Sequence, residues 1–408
     1  MTARSTSIVI PTHNRRLSVE RALRALCAQS YPAESMDIIV VADGCTDRTA
    51  EVAAGNWAVR VRSIEQPPSG PAAARNRGAD AATGDLLIFL DDDIEVSPRF
   101  VAEHVAGHDG ARTVVIGYLP PDLQGRHDFL AIMLRAWWET MFDRMGEPGH
   151  RFAYSDLLSG NFSLSRALLS EVGGFDERLR CHEDYELGYR LIAAGAQMRF
   201  AAAAAGSHHE YTDLDRALRR KRDEGRADVA LAHRHPSLIP ALPLSRDYGH
   251  LSRRGRTLMR RARSRPAAGD TLERIYRGML PLLEGVRLRS RWRRLLDDLL
   301  LYWYWRGVGE AIDADSFASL VAKGERAPAF YDIDLRAGLD ASARQIDDVR
   351  PEAIRLRWGP MVVGTLDAQA GAEPLQGRHL RLLLEGRFSR RLAEVMGLAR
   401  LLQPPSGD

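Results

Sequence analysis

The chain has 408 residues, of which 45% are hydrophobic and 27% are charged. This composition is typical of a globular protein with a sizeable core, and the length suffices for a main domain and a second one. The formal net charge of +3 is too small to indicate a nucleic-acid partner, and we expect none.

Apolar runs and helical patterns alternate along the first 90 residues. Strands are predicted at residues 7–10, 37–41, 59–64 and 85–90, and helices around 19–26, from 46 and over 72–82. This alternation predicts an α/β domain whose parallel sheet has helices on both faces. Ligands bind beyond the carboxyl ends of the strands in such sheets. Polar clusters follow three of the predicted strands, at residues 12–14, 43–47 and 91–93.

The second half of the chain has a different pattern. After a mixed stretch over residues 95–210, the sequence turns mostly helical from Leu214 onward. Four side chains share one face of a predicted helix there: Leu272, Ile275, Tyr276 and Met279. Residues 354–358 alternate like a strand, and residues 381–402 predict a helix. We therefore expect a mainly helical C-terminal region.

Three consecutive carboxylates, Asp91, Asp92 and Asp93, follow the predicted strand over residues 85–90. Charges this close repel one another unless a cation or hydrogen-bond donors lie beside them. A divalent ion held by few carboxylates, with water and phosphate at its other positions, is the usual arrangement for Mg²⁺ or Mn²⁺. The alternative interpretation is a solvated acidic loop or a helix cap.

A second acidic pair, Glu183 and Asp184, stands at the start of a predicted helix. Helix N-termini favour carboxylates, which is a sufficient structural explanation, and the functional alternative is a general base presented there. His208 and His209 follow the alanine run of residues 201–205. Taken alone, such a histidine pair is most typical of a protein surface.

Together, these motifs and their order resemble glycosyltransferase family 2, a large family with the GT-A fold. The resemblance covers roughly residues 5–215 and rests on six short motifs. They are residues 10–15 (IPTHNR), 40–47 (VVADGCTD), 70–78 (GPAAARNRG), 91–93 (DDD), 173–177 (GGFDE) and 183–184 (ED). The resemblance implies a GT-A domain over residues 1–215, with a Rossmann-like, mostly parallel sheet flanked by helices. It leaves residues 216–408 as a mainly helical region with a role in acceptor choice or assembly.

The resemblance also implies a nucleotide site. Pro11, Thr12 and Asn14 match positions where the base and ribose bind. Asp43 matches the acid that reads the edge of the base, usually uracil, and Arg75 matches a basic residue near the diphosphate.

For the chemistry, Asp91 and Asp93 match the ends of the family's DxD motif and are the implied metal ligands, with Asp93 the more direct one. Asp92 would lie near the ribose or a metal-bound water. His208 falls where many relatives have a further metal ligand, and Asp184 matches the catalytic base.

The implied activity is inverting transfer of a sugar from a nucleotide-diphospho-sugar, with UDP-sugar favoured, using Mn²⁺ or Mg²⁺. The acceptor would be a glycan, a lipid-linked molecule or a small molecule, as in glycan, cell-envelope or natural-product glycosylation.

The sequence departs from the family's pattern at two places. Ala42 replaces the first of two acids common in the family, which weakens the implied base contacts. The Gln-x-x-Arg-Trp motif of processive members is missing at both Arg-Trp pairs, residues 291–292 and 357–358, so we expect a non-processive enzyme.

Two other functions remain open at this stage. A nucleotidyltransferase also places acids around a metal, but it usually has a phosphate loop rich in glycine and lysine, which this sequence lacks. A non-catalytic sugar-binding protein on the same fold is the second alternative, against which the intact acidic motifs argue. Metal-dependent hydrolysis of the donor would separate the catalytic and non-catalytic readings.

Aromatic residues raise a further choice. Trp137 and Trp138 could stack on a sugar, although tryptophans on an apolar helix are more often core. The arginine-rich region after residue 216 adds a second group of aromatic residues: Trp292, Tyr302, Trp303, Tyr304 and Trp305. This group suits a membrane interface, a dimer interface or a buried helical domain. We favour packing, with peripheral membrane contact or a homo-oligomer through these helices as alternatives.

Three cysteines without disulfide-like or zinc-like spacing, Cys27, Cys45 and Cys181, are typical of a reducing cytoplasm. The first residues lack the basic and then apolar pattern of a secretion signal. The apolar run over residues 299–305 is far too short to span a bilayer. We expect a cytoplasmic protein, with attachment to the inner membrane face as the alternative.

Overall fold

A nine-stranded sheet forms the centre of the computed structural model, which describes residues 4–246, 253–264, 266–324 and 329–401. In chain order its strands are β1 (Thr6–Thr12), β2 (Met36–Asp43), β3 (Arg60–Gln66), β4 (Leu86–Leu90), β5 (Ile94–Val96), β6 (Thr113–Tyr118), β7 (Pro121–Asp122), β8 (Asn161–Ser165) and β9 (Gln197–His209). Their order across the sheet is β3-β2-β1-β4-β8-β6-β9-β5, with β7 beside β9. Strands β1 to β4 are mutually parallel, and β8 runs antiparallel to β4 and β6. The prediction of a mostly parallel sheet is confirmed.

Helices alternate with the strands of this domain. They are α1 (Arg16–Cys27), α2 (Thr49–Ala53), α3 (Pro71–Ala81), α4 (Phe100–Gly107), α5 (Phe129–Gly146), α6 (Arg166–Glu171) and α7 (Glu183–Ala193). Every residue of β2 and β4 is buried, as happens when both faces of a parallel sheet are covered. The strands and helices predicted in the first 90 residues are all present.

The carboxyl ends of β1, β2 and β4 meet at one edge of the sheet, which we call the carboxyl edge. Thr12 pairs with Ala42 where β1 and β2 end, and Val9 of β1 pairs with Phe89 of β4. Directly after β4, the backbone N of Asp91 donates to the carbonyl O of Gly160 at 3.0 Å. The polar clusters that follow the three strands therefore lie close together.

Strand β9 runs through the alanine run of residues 201–205 and ends at the histidine pair. Alanine is depleted in strands, and the sequence pattern predicted none here. The strand forms because β5, β6 and β7 pair with it and satisfy its backbone groups. Ile94 of β5 pairs with His208, which brings His208 beside the acidic triplet.

The C-terminal part contains a helical bundle followed by a small mixed unit. The bundle consists of α8 (Leu214–Arg234), α9 (Pro243–Arg246), α10 (Arg253–Ser264), α11 (Pro266–Gly285), α12 (Arg289–Ala311) and α13 (Ala314–Ala322). The mixed unit consists of β10 (Tyr331–Asp334), α14 (Leu339–Val349), β11 (Ile354–Trp358), β12 (Met361–Leu366), α15 (Gly377–Glu385) and α16 (Ser389–Leu401). The region is mainly helical as predicted, but its described residues also form a three-stranded sheet, β10-β11-β12.

One prediction in this region needs correction. The helix predicted over residues 381–402 is interrupted between Glu385, where α15 ends, and Ser389, where α16 begins, and residue 402 lies outside the described residues. The four residues predicted to share one helical face do lie on α11. On that face Leu272 and Tyr276 are half-buried, whereas Ile275 and Met279 are exposed.

The aromatic residues of α12 are mostly buried. Trp292, Tyr302, Tyr304 and Trp305 lie in the core of the bundle, where α12 packs against α8 and α10, and Trp303 is half-buried. This arrangement agrees with the packing interpretation of these residues. On α5, Trp138 is buried while Trp137 is exposed.

Candidate active site

Two members of the acidic triplet share one arginine. Arg15 Nη1 lies 3.0 Å from Asp92 Oδ1 and 2.5 Å from Asp93 Oδ2. Thr12 Oγ1 donates to Asp92 Oδ2 at 2.6 Å. Burial raises the pKa of Asp92 to about 7, against the opposing charge of Arg15 and with a smaller contribution from Asp93. A hydroxyl donor, Thr12, and a positively charged side chain, Arg15, therefore do lie beside these carboxylates.

A buried arginine joins the triplet to the second acidic pair. Arg75 of α3 donates from Nη2 to Asp91 Oδ1 and from Nη1 to Glu183 Oε1, both at 2.8 Å. Its guanidinium lies 5.6 Å from the centre of the Phe175 ring. Burial raises the pKa of Glu183, as does the neighbouring charge of Asp184, while Arg75 opposes the shift. Two motifs that are far apart in the sequence thus form one charged cluster.

Asp184, the predicted base, lies in the first turn of α7. Its Oδ2 accepts from Ser159 N at 3.2 Å, and its Oδ1 accepts from Tyr185 N at 2.9 Å. The side chain is half-buried and has no ion pair within the part of the chain that the structure describes. Asp184 is therefore held in place by backbone donors, while Glu183 is engaged by Arg75.

The predicted metal ligands are only partly brought together. His208 Nε2 lies 3.6 Å from Asp93 Oδ1, the oxygen that Arg15 does not contact. His208 Nδ1 is buried without a hydrogen-bond partner, and the Trp138 ring lies 5.4 Å away. Asp91 instead pairs with Arg75.

Across residues 4–246, 253–264, 266–324 and 329–401, no three His, Cys, Asp or Glu side chains are grouped to hold a metal ion. The facing pair of Asp93 and His208 nevertheless fits a divalent cation that takes its other ligands from a diphosphate and water, as Mg²⁺ commonly does. The Asp93 oxygen that Arg15 does not contact and the imidazole of His208 are suitable donors for such an ion.

The residues predicted to bind the nucleotide organise two loops at the carboxyl edge. Asp43 accepts from Gln66 Nε2 at 2.9 Å, from Ser69 N at 2.7 Å and from Gly70 N at 2.8 Å. Asn14 has a φ of +53° and accepts from Thr46 N at 2.7 Å. Both side chains therefore have structural partners already. Pro11, the residue before Thr12 in β1, is half-buried.

Sequence reasoning missed the side chains that hold the start of α7. His182 Nδ1 lies 3.0 Å from Asp228 Oδ1 of α8, and Tyr304 of α12 donates to Asp228 Oδ2 at 2.6 Å. The His182 ring also stacks on Tyr185, with the ring centres 4.5 Å apart. No spacing could have revealed this set, because its members come from three distant helices. Arg15, by contrast, lay inside a recognised motif without an assigned role.

Known proteins share features of both the sequence and the fold of this chain. Residues 7–173 match the family model "Glycosyl transferase family 2". The validoxylamine A glucosyltransferase of Streptomyces hygroscopicus subsp. jinggangensis is 32% identical over 276 residues, covering 58% of this chain and 62% of that protein. The pre-mycofactocin glycosyltransferase of Mycobacterium tuberculosis is 30% identical over 254 residues, covering 59% of this chain and 50% of that protein. The chain thus spans between half and about three fifths of the length of these curated relatives.

Among solved structures, the mannosyltransferase PcManGT from Pyrobaculum calidifontis, in complex with GDP-Man and Mn²⁺, superposes with a TM-score of 0.51 and 18% identity. The match covers 74% of this chain and 88% of that chain, and it shows that the two proteins share the GT-A fold. Family model, relatives and fold agree: residues 7–173 are similar to glycosyltransferase family 2, and the chain has the GT-A fold.

Proposed function

We propose that this protein is an inverting, metal-dependent, non-processive glycosyltransferase that moves a sugar from a nucleotide-diphospho-sugar to an acceptor hydroxyl. The observation that carries the proposal is the arrangement at the carboxyl edge, where Asp93 faces His208 and Asp184 stands free of ion pairs among the described residues. The relatives that are named as glycosyltransferases support the activity. A UDP-sugar is the favoured donor, although the donor in the PcManGT complex is GDP-Man.

In this proposal, Asp93 and His208 would hold Mn²⁺ or Mg²⁺ together with the donor diphosphate. The bound ion supplies positive charge beside the phosphate oxygens that gain negative charge as the nucleotide leaves. Arg15 contacts Asp93 Oδ2, so the other oxygen, Oδ1, is oriented towards His208. Thr12 holds Asp92 by a hydrogen bond, which keeps the triplet in one conformation.

Asp184 acts as the general base. Its carboxylate takes the proton of the acceptor hydroxyl as that oxygen attacks the anomeric carbon. The bond between that carbon and the diphosphate oxygen breaks on the opposite face, so the anomeric configuration inverts. Asp184 suits this role because Arg75 is engaged by Glu183 and Asp91 and leaves the Asp184 carboxylate without an ion pair.

The nucleotide occupies the loops that follow β1 and β2, next to Pro11, Thr12, Asn14 and Asp43. Arg75 is shared between two carboxylates, so we assign it to joining the two acidic clusters, and any contact with the diphosphate would require it to leave one of them. Residues 1–215 would form the donor and catalytic domain. Residues 216–408 would serve acceptor choice or assembly and make no donor contact beyond residue 270.

A cytoplasmic location goes with this proposal, since Cys27, Cys45 and Cys181 are all free thiols. The function is tested by incubating the protein with a panel of nucleotide-sugars, with Mn²⁺ and with a chelator. We expect one donor to raise the unfolding midpoint and to be hydrolysed slowly, in both cases only with the metal. Stabilisation and hydrolysis that are equal in the chelator would contradict the metal requirement. Failure of every donor to bind would contradict the transferase assignment.

A further inference from the structure

Helix α11 exposes a continuous apolar stripe. Ile275, Met279 and Leu282 recur at intervals of four and three residues, which places them on one side of the helix, and Val286 lies in the turn that directly follows the helix. All four are exposed, with Leu282 at 70% and Val286 at 65% of their full accessible area. From Ile275 to Leu282 the stripe extends about 10 Å along the helix. A contiguous apolar surface of this kind marks an interaction site more often than chance exposure does.

The charges beside this stripe have one sign. Arg287, Arg289 and Arg291 form the corner between α11 and α12, all are exposed, and none has an ion pair within the described residues. We call these three residues the arginine corner. Together with the stripe, they present apolar and positively charged groups on one surface.

The acidic residues of α11 do not offset this charge, because each is used inside the protein. Asp270 accepts from Tyr302 Oη at 2.6 Å, and Glu284 accepts from the backbone N of Phe129 at 2.7 Å. Glu273 is buried. The outward face of the helix therefore lacks a countercharge of its own.

Charge decides which partner fits this surface. A second copy of the chain, packed stripe to stripe about a two-fold axis, would bring the arginine corner near the exposed Arg274 of its partner, so like charges would meet. An anionic lipid surface offers hydrocarbon to the stripe and negative headgroups to the arginines. No helix in the described part of the chain is long and apolar enough to cross a membrane, so contact in the plane of the interface is the relevant mode.

We propose that the α11 stripe and the arginine corner bind the surface of an anionic lipid bilayer.

The proposed contact surface is connected to the active site through α5. Phe129, at the start of α5, stacks edge-on against Trp292 at 5.4 Å, and Trp138 of the same helix lies 5.4 Å from His208. Trp138 follows Phe129 by nine positions, which corresponds to about 14 Å of helix. A bilayer bound here would therefore adjoin the helix that reaches the site.

The test is flotation of the full chain with phosphatidylcholine vesicles that contain or lack phosphatidylglycerol. We expect the protein to float with the anionic vesicles and to be released by salt. The double variant Leu282→Ser/Val286→Ser should bind about tenfold or more weakly, because two apolar side chains no longer enter the interface. The variant Arg289→Gln/Arg291→Gln should lose about fivefold per arginine and depend less on salt.

Matched controls lie on other surfaces of the chain. Leu17→Ser removes a leucine of α1 that is 64% exposed, and Arg344→Gln removes an exposed arginine of α14. Both should bind vesicles like the wild type, and all variants should keep its unfolding midpoint. The proposal is overturned if the wild type ignores anionic vesicles or if stripe and control variants bind equally. It is also overturned if sedimentation shows a dimer that only the stripe variants dissociate while lipid binding is absent. Vesicle binding needs no turnover, so these outcomes are independent of the proposed transferase activity.

Discussion

At the carboxyl edge of the sheet, Arg75, Asp92, Asp93 and Glu183 are buried together, whereas along α11 and α12 most arginines face outward and most aromatic rings are buried. Burying charged groups is unfavourable unless they are paired, and replacing such pairs by apolar residues is often neutral or stabilising. A cluster of this kind is therefore poorly explained by stability alone. The bundle has the opposite arrangement, which suits structural support and surface contacts.

The two regions meet at the start of α7. There the bundle contributes Asp228 and Tyr304, which fix His182 directly before Glu183 and Asp184. Substitutions at the carboxyl edge should accordingly change turnover while the fold persists. Substitutions in the bundle should change stability while donor affinity persists. Measuring turnover, donor affinity and stability separately for each variant tests that distinction.

The largest effect is expected for Asp93→Ala. The change removes the carboxylate that faces His208, so transferase activity should fall to background and donor binding in Mn²⁺ should weaken. Arg15 keeps Asp92 as a partner, so the unfolding midpoint should stay close to that of the wild type. Turnover and nucleotide-dependent thermal shift are measured alongside Asp80→Ala, an exposed acid of α3. Near-normal turnover in Asp93→Ala would refute the metal assignment.

Next in size is Asp184→Asn. Asparagine retains one oxygen for the two backbone donors that hold this side chain, so at least one of these hydrogen bonds is kept and the fold should persist. It cannot accept the proton, and general-base catalysis is typically worth about 10²–10⁴-fold in rate. We therefore expect normal donor binding and a turnover at least about a hundredfold lower. A folded Asn variant with full activity would leave Asp184 with a structural role only and would make Glu183 the candidate base.

A smaller effect, on stability alone, is expected for Tyr304→Phe. The substitution keeps the ring in the core but removes the hydroxyl that donates to the buried Asp228. Hydrogen bonds to charged groups contribute about 1.5–3 kcal/mol, so the free energy of unfolding should fall by about that amount. Donor affinity should not change. Chemical denaturation is compared with Tyr331→Phe, which alters a half-buried tyrosine of the small C-terminal sheet. A change in donor affinity with unchanged stability would contradict the expectation that substitutions in the bundle act on stability alone.

The first 90 residues could be predicted well because their strands are short apolar runs that end in turn residues. Strand β9 could not, since its alanine run has no strand preference and pairs only because β6 lies beside it. The apolar pattern of α11 predicted a shared helical face, but not that Ile275 and Met279 on that face are exposed. A periodic pattern shows that a helix is amphipathic, but not which side its neighbours cover.

The residues of the candidate site likewise fall into those that local motifs predicted and those that only the structure brings together. Asp91, Asp93 and Asp184 lie in local motifs and were found from the sequence. The contact between Arg75 and Glu183 joins residues 108 positions apart, and the contact between His182 and Asp228 spans 46 positions. Such contacts depend on how helices approach one another, which no local pattern encodes.

The smallest effect concerns the pH dependence of stability at the junction of the two regions. His182 is buried and faces Asp228, Glu224 and Asp184. Burial lowers its pKa, but the hydrogen bond with Asp228 and the charges of Asp228, Glu224 and Asp184 together outweigh burial, so the pKa is raised in the folded protein. The pKa of a histidine in an unfolded chain is about 6.5. The protonated imidazole therefore contributes stability that is complete below that pH and is lost as the pH rises through the higher folded pKa of His182.

We test this with His182→Asn, because asparagine tolerates the left-handed backbone, with φ of +61°, at this position. The difference in unfolding free energy between wild type and variant, measured in urea at a series of pH values, should be largest in mild acid and should shrink above about pH 6.5. His127→Asn, in an exposed loop, should show no such trend. A difference for His182→Asn that is constant across the series would mean that this histidine is held by packing on Tyr185 and not by its charge.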